Sequence, residues 1–294
     1  MCTRKTGLRL IVVAALMVVV QGEIAAGDVP AVIHRIEMPS DWYWAEMQGL
    51  AWNPADTSHI YVSCDNAEHI HDIIAKIDLA GVEEARQPNH SAKGATFTDG
   101  YVWTVDADGG VRRYSADLSS PGVLYPCDIS WGITWDSDAS CFWGSKWTPS
   151  GGSVAAYTRN DGGQTLDKIV GSDITLDFFG IDLSYKDGFL WIGDQTNNLI
   201  KKIETSPGSA TVLETWRMPK DIEGIVGGLT WGSYGGFDVL WCATVNPGHA
   251  IYALVPPGLV PAVRVWGLVA MALLVLTAAT VVIMRRRAMV HGGS

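Results

Sequence analysis

Gly49-Leu50-Ala51-Trp52, Gly94-Ala95-Thr96-Phe97, Gly132-Ile133-Thr134-Trp135, Gly180-Ile181-Asp182-Leu183 and Gly228-Leu229-Thr230-Trp231 share one pattern. Each runs from a glycine through an apolar or small residue and a small or polar one to a bulky one. The starts are 45, 38, 48 and 48 residues apart, which is the period of a propeller blade. A second strand follows each start, centred on an aromatic residue: Tyr61, Trp103, Trp143, Trp191 or Trp241. Asp99-Gly100 and Asp187-Gly188 stand between first and second strands, where a tight hairpin needs them.

Third strands end at Lys76-Ile77-Asp78, Arg113-Tyr114, Ala156-Tyr157, Lys202-Ile203 and Tyr252-Ala253. Weaker fourth strands follow at Val82–Ala85, Val123–Tyr125, Leu166–Ile169 and Val212–Trp216. The fifth repeat lacks a fourth strand before Pro256-Pro257, while a spare strand, Val32–Met38, precedes the first repeat. Pairing the spare strand with Ala250–Leu254 closes the ring and removes two sheet edges. The fold expected is therefore all-β, a five-bladed β-propeller over residues 31–255 closed by an N-terminal strand, with a C-terminal transmembrane helix. A sandwich would not align five glycines and five aromatics.

The ends read differently. Arg4, Lys5 and Arg9 precede the apolar run Leu10–Val20 and the small residues Ala25-Ala26-Gly27, the layout of a signal peptide over residues 1–27. After a linker, 256–264, the run Val265–Met284 carries no charge and is closed by Arg285-Arg286-Arg287. Its length suits one bilayer crossing, with the basic tail, 285–294, kept cytoplasmic. The protein is thus expected to be exported and to meet the membrane through this helix, its propeller outside the cytoplasm at the cell membrane or surface. Without the two ends, 14 basic residues face 30 acidic ones, a balance near −16, which excludes nucleic acid as a partner. Cys64, Cys127, Cys141 and Cys242 remain. Cys127 and Cys141 flank the innermost strand of blade three and are expected to pair in an oxidising compartment.

Three resemblances attach to particular residues. Val260-Pro261, Trp266-Gly267, the apolar run and the arginine cluster resemble the exosortase-type sorting tags of the PEP-CTERM group and its Ile/Val-Pro relatives. That likeness implies surface sorting and an exosortase-type processing protease as a partner. Trp191-Ile192-Gly193-Asp194-Gln195-Thr196-Asn197-Asn198-Leu199-Ile200 resembles NHL and gluconolactonase-like propeller repeats, and implies a fold without a chemistry. Met47-Gln48-Gly49-Leu50 resembles the opening of the propeller-type glutaminyl-peptide cyclotransferases. Their second blade begins Glu-Gly where this chain has Lys93-Gly94, so the acid that handles the substrate amine in that family is missing here.

In a four-stranded blade the loop between strands two and three shares a face with the link to the next blade. That face gathers Trp44, Gln48, Lys93, Trp131, Trp147, Asp194 and Glu223, expected to hold a small molecule, glycan or peptide around the central channel. The competing reading packs the tryptophans between blades and leaves Asp65, Asp106 and Asp194 to brace turns. His69 and His71 share a strand face in a loop rich in Cys64, Asp65, Glu68 and Asp72. With His249 in the matching loop of blade five they form a candidate metal set. No Gly-x-Ser-x-Gly elbow accompanies them. The sequence names no cofactor. It points to a binding protein, the alternative being a propeller enzyme of cyclotransferase or lactonase type.

Overall fold

The computed structural model describes residues 28–38, 42, 46–65, 72–88, 92–106, 110–148, 151–245 and 249–258. Contacts divide the chain into Met1–Pro257 and Gly258–Ser294. The signal segment, Trp44, His69, His71 and the 265–284 run lie outside the described residues. Among the described residues no helix is long and apolar enough to cross a membrane.

The strand β1 (Ala31–Glu37) comes first. Blade one is β2 (Glu46–Ala51), β3 (His59–Asp65), β4 (Ile73–Asp78) and β5 (Glu83–Pro88). Blade two is β6 (Ala95–Thr98), β7 (Tyr101–Asp106), β8 (Gly110–Ser115) and β9 (Val123–Pro126). Blade three is β10 (Ile133–Asp136), β11 (Cys141–Thr148), β12 (Gly151–Asn160) and β13 (Thr165–Lys168). A short extra strand that the sequence did not signal, β14 (Ile174–Leu176), pairs with β12 there. Blade four is β15 (Gly180–Lys186), β16 (Phe189–Asp194), β17 (Leu199–Ser206) and β18 (Ser209–Arg217). Blade five is β19 (Ile225–Tyr234), β20 (Phe237–Val245) and β21 (Ala250–Val255), completed by β1. Its register sets Ala31 against Val255 and Ile36 against Ile251, the closure expected from the missing fourth strand.

Local chemistry explains the hairpins. Asp99 and Gly100, and likewise Asp187 and Gly188, all have φ between 53° and 83°, the doubly left-handed geometry of a type I′ turn. Between blades, aromatic side chains fill the wedges. Trp103 meets Tyr125 and Phe142 at 4.9 Å, Trp191 meets Trp216 at 4.5 Å and Trp231 at 5.2 Å, and Trp52 stacks on Trp241 at 5.8 Å. Trp103, Trp216 and Trp241 are fully buried.

At the axis the inner strands come into backbone contact. A Cβ on Gly94 would lie 2.4 Å from Gly132 Cα, and one on Gly228 would lie 2.7 Å from the Gly49 carbonyl carbon. Only glycine fits such an approach. In blade four the repeat is offset from its sequence alignment. A Cβ on Gly132 would meet Asp182 Cα at 2.8 Å, whereas one on Gly180 would meet the Ile192 side chain. An inter-blade ladder agrees: Thr96 Oγ1 accepts from Trp135 N at 3.2 Å, Thr134 Oγ1 from Tyr185 N at 3.0 Å, and Ser184 Oγ from Trp231 N at 2.8 Å. Asp182, not Gly180, therefore takes the axial position. A β-bulge between Gly180 and Leu183 supplies the offset.

The expected Cys127–Cys141 disulfide is not formed, and all four described cysteines are free. Cys127 follows β9 at one end of the blade, while Cys141 faces Asp136 at the far end of β10. The rise along β10, roughly 3.3 Å per residue, already exceeds the ~7 Å a disulfide spans between Cα atoms. Flanking a strand puts two residues at its opposite ends.

Candidate functional site at the channel mouth

The residues directly before the axial positions are Gln48, Lys93, Trp131, Ile181 and Gly227. Pairing is irregular at this point, although Lys93 N still donates to Val105 O at 3.2 Å and Trp131 N to Ser145 O at 3.1 Å. Register shifts fall between Met47 and Gly49, between Gly180 and Leu183, and between Val226 and Leu229. In blades two and three the regular strand begins only at Ala95 and Ile133. Buried serines fix the ring from below. Ser63 Oγ donates to Lys93 O, and Ser145 Oγ lies 3.4 Å from Ile181 O and accepts from Gly132 N at 2.7 Å.

Three of the expected site residues share this ring. Lys93 Nζ sits 3.9 Å from the centre of the Trp131 ring, a cation–π contact. Trp131 also meets Phe179 edge to face at 5.2 Å. Lys93 is half-buried, and burial pushes its ammonium below the ordinary lysine value while Asp65 and Asp72 pull it back. Gln48 is 9% exposed; its Nε2 donates to Glu46 Oε2 at 2.9 Å, and its Oε1 is buried without a hydrogen-bond partner. One cation, two aromatic rings and the charges of Asp65 and Asp72 thus act together at this end of the axis.

The other candidates stand apart. Asp194 is fully buried. Its Oδ1 accepts from Asn197 N at 3.2 Å, its Oδ2 from Asn197 Nδ2 at 2.9 Å and from Lys201 at 2.9 Å. It braces the turn after β16. Asp106 pairs in the same way with Arg112. Glu223 is exposed in the connection between blades four and five, where its charge helps raise the Tyr252 hydroxyl, chiefly a burial effect. Trp147 is 57% exposed at the end of β11, opposite Gly152. His249 accepts from Met38 N at 3.4 Å through its carbonyl, and its Nδ1 is buried without a partner. Among the described residues no group of three His, Cys, Asp or Glu is placed to hold a metal ion.

Sequence reasoning missed Asp182. Its carboxylate is fully buried on the axis, and Oδ2 accepts from Leu229 N at 2.8 Å. The N–H groups of Leu183, Leu50 and Ile133 also polarise it, though Oδ1 has no partner of full hydrogen-bond geometry. Burial raises this carboxyl well above the usual carboxylate range against the pull of those four N–H groups. One acid among Ala51, Thr96, Thr134 and Thr230 in the aligned repeats was the available signal.

The exposures separate the two outer-face tryptophans. Trp147→Ala should change stability by less than about 0.5 kcal/mol, as exposed substitutions do. Trp131→Ala should cost about 1–2 kcal/mol through its ring contacts. Thermal unfolding measures both. A loss near 3–5 kcal/mol in each, the cost of truncating a buried aromatic, would make them packing residues.

No family model matches the chain, and no curated protein matches it. Solved structures do. The glutaminyl cyclase of Myxococcus xanthus superposes with a TM-score of 0.57 at 12% identity, over 77% of this chain and 96% of that one. The PQQ-bound aldose sugar dehydrogenase of Streptomyces coelicolor gives 0.44 at 13% identity, over 78% and 98%. A chain of a nidogen/laminin complex gives 0.45 at 16% identity, over 67% and 72%. At 12% identity the likeness to the cyclase is one of fold alone.

Proposed function

We propose that the chain is exported, is held at the envelope or sorted to the surface by its C-terminal segment, and binds a small glycan or peptide at the channel mouth without transforming it. Export rests on the charge and hydropathy of the two ends, and the sorting route on their likeness to exosortase-type tags. The binding reading is carried by one observation, the half-buried Lys93 ammonium stacked on Trp131 beside the carboxylates of blade one. An aromatic face beside a fixed donor and nearby acceptors is what a polar ligand with an apolar side requires.

Lys93 also favours binding over the alternative cyclotransferase chemistry. It occupies the position where those enzymes carry a glutamate, and an ammonium held there repels a substrate amine instead of taking its proton. The test is a glycan and peptide array probed with the purified chain and with Lys93→Glu. Binding to a restricted set of ligands, lost at least tenfold in the variant, is the expected result. Conversion of an N-terminal glutaminyl peptide to its cyclic form by the unaltered chain would replace binding with catalysis.

A further inference from the structure

His59 opens β3, and both of its ring nitrogens face carboxylates. Nδ1 lies 2.6 Å from Asp56 Oδ1 in the β2–β3 loop, and Nε2 lies 2.9 Å from Glu84 Oε2 on the outer strand β5. Lys76 of β4 completes the group, its Nζ 3.0 Å from Asp56 Oδ2 and 3.7 Å from Glu84 Oε2. We propose that His59 is the pin of a pH-sensitive clasp on the seam where β1 closes the propeller, engaged while the imidazole carries both protons and released when one is lost.

The count of donors decides the protonation state. A neutral imidazole has one N–H and one lone pair, so it donates to Asp56 or to Glu84 but not to both, and the lone pair then faces a carboxylate oxygen. Only the imidazolium satisfies both contacts. Neighbouring polar groups are committed elsewhere. Asp78 stands opposite His59 across β4, but its Oδ1 accepts from Ala80 N at 2.9 Å and Val82 N at 2.8 Å, within its own turn. Tyr61, further along β3, gives its hydroxyl to Ala116 O at 2.7 Å. Two cations thus face two anions, and the His59 and Lys76 side chains are each 17% accessible, so salt and water screen the group less than an open surface pair.

Burial works against the imidazolium, but the hydrogen bonds to Asp56 and Glu84 outweigh it and hold its pKa above the ordinary 6.5 despite the Lys76 charge. Asp56 moves the other way. Burial would raise its carboxyl, and the bonds from His59 and Lys76 hold it below the ordinary 3.8. The His59 contribution is therefore complete below 6.5 and lost as pH rises through the folded value, while that of Asp56 is complete above 3.8 and lost as pH falls through its own. The clasp is engaged at mildly acidic pH and opens on the alkaline side.

Its position ties it to the closing strand. Asp56 Oδ1 also accepts from Ser58 N at 3.4 Å, Ser58 O accepts from Leu79 N at 3.2 Å, and Leu79 O lies 3.0 Å from His34 Nε2 of β1. A continuous chain of hydrogen bonds runs from the clasp to the strand that completes blade five. Leu79 also packs on the apolar cluster that contains Ile36 of β1.

The experiment is a proton NMR titration of the full chain in detergent, with the His59 resonance assigned from His59→Asn. Hydrogen exchange of residues 31–37 and 83–88 accompanies it, at about pH 5.5 and about pH 8.5, either side of the histidine range, corrected for intrinsic rates. His59 should titrate above 6.5, and both strands should exchange roughly threefold or more slower at the acidic pH, the size of one partly exposed ion pair. Glu84→Gln should lower the midpoint and shrink that difference. The Glu84 side chain is 46% accessible, so this variant keeps the fold even where His59→Asn does not. A midpoint at or below 6.5 would overturn the proposal. Equal protection at the two pH values would do the same, as would a difference of one size in the unaltered chain and in Glu84→Gln.

Discussion

Asp182→Ala should lower the stability of the propeller by about 3–5 kcal/mol, more than any surface change in the molecule. The carboxylate is the one side chain on an axis otherwise lined by glycine, and its N–H donors come from blades one, three, four and five. Removing it leaves Leu229 N without its acceptor and the N–H groups of Leu50, Ile133 and Leu183 facing an empty space, in a site that no water reaches from outside. Urea unfolding reads the loss directly, and a change below about 1 kcal/mol would show that the axis is held by strand packing alone.

The same residue has a pH signature of fixed sign. Its folded pKa is raised above the ordinary 3.8, so the folded state binds the proton more tightly than the unfolded chain does. The contribution of Asp182 is therefore complete below the ordinary value and declines as pH rises from there through the folded value. Asp182→Asn, which cannot ionise, should lack this part of the decline. Parallel curves for the two proteins would refute the assignment.

Deleting residues 28–38 should have the second large effect, the loss of cooperative unfolding together with self-association. β1 covers β21, whose six residues are all buried, and Ile36 is 1% exposed within the cluster that joins blades five and one. Without β1 the apolar strand Ala250–Val255 becomes an open edge, a template for pairing with another chain. Size-exclusion chromatography and a thermal scan measure the outcome. A synthetic peptide of residues 28–38 added in trans should restore part of the monomeric, cooperative species. A deleted chain that stayed monomeric and melted sharply would mean that three strands suffice for the last blade.

The ring of blades was legible because its signals are local and repeated. Asp-Gly turns, an aromatic at the centre of each second strand and a missing fourth strand all follow from the chain itself. The axial position in blade four was not legible, because a glycine two residues upstream mimics the repeat and the bulge that displaces it exists only in the pairing of β15 with β16. Gln48, Lys93 and Trp131 could be found since each precedes an axial glycine. Trp147 and Asp194 shared their end of the blades without sharing their surroundings. Whether an aspartate faces a ligand or a turn depends on partners such as Lys201, which a neighbouring strand supplies. The unformed cysteine pair failed for a similar reason, since nearness in sequence across one extended strand means separation in space.

Ligand binding, as proposed, occurs at the channel mouth. A crystal structure of the purified chain with the array-selected ligand tests it most directly. The ligand should lie against the Trp131 ring with a polar atom within hydrogen-bond reach of Lys93 Nζ, at the end of the axis where Gln48 and Phe179 also stand. Ligand bound elsewhere on the propeller, with Lys93 still stacked undisturbed on Trp131 and the mouth unoccupied, would contradict the claim.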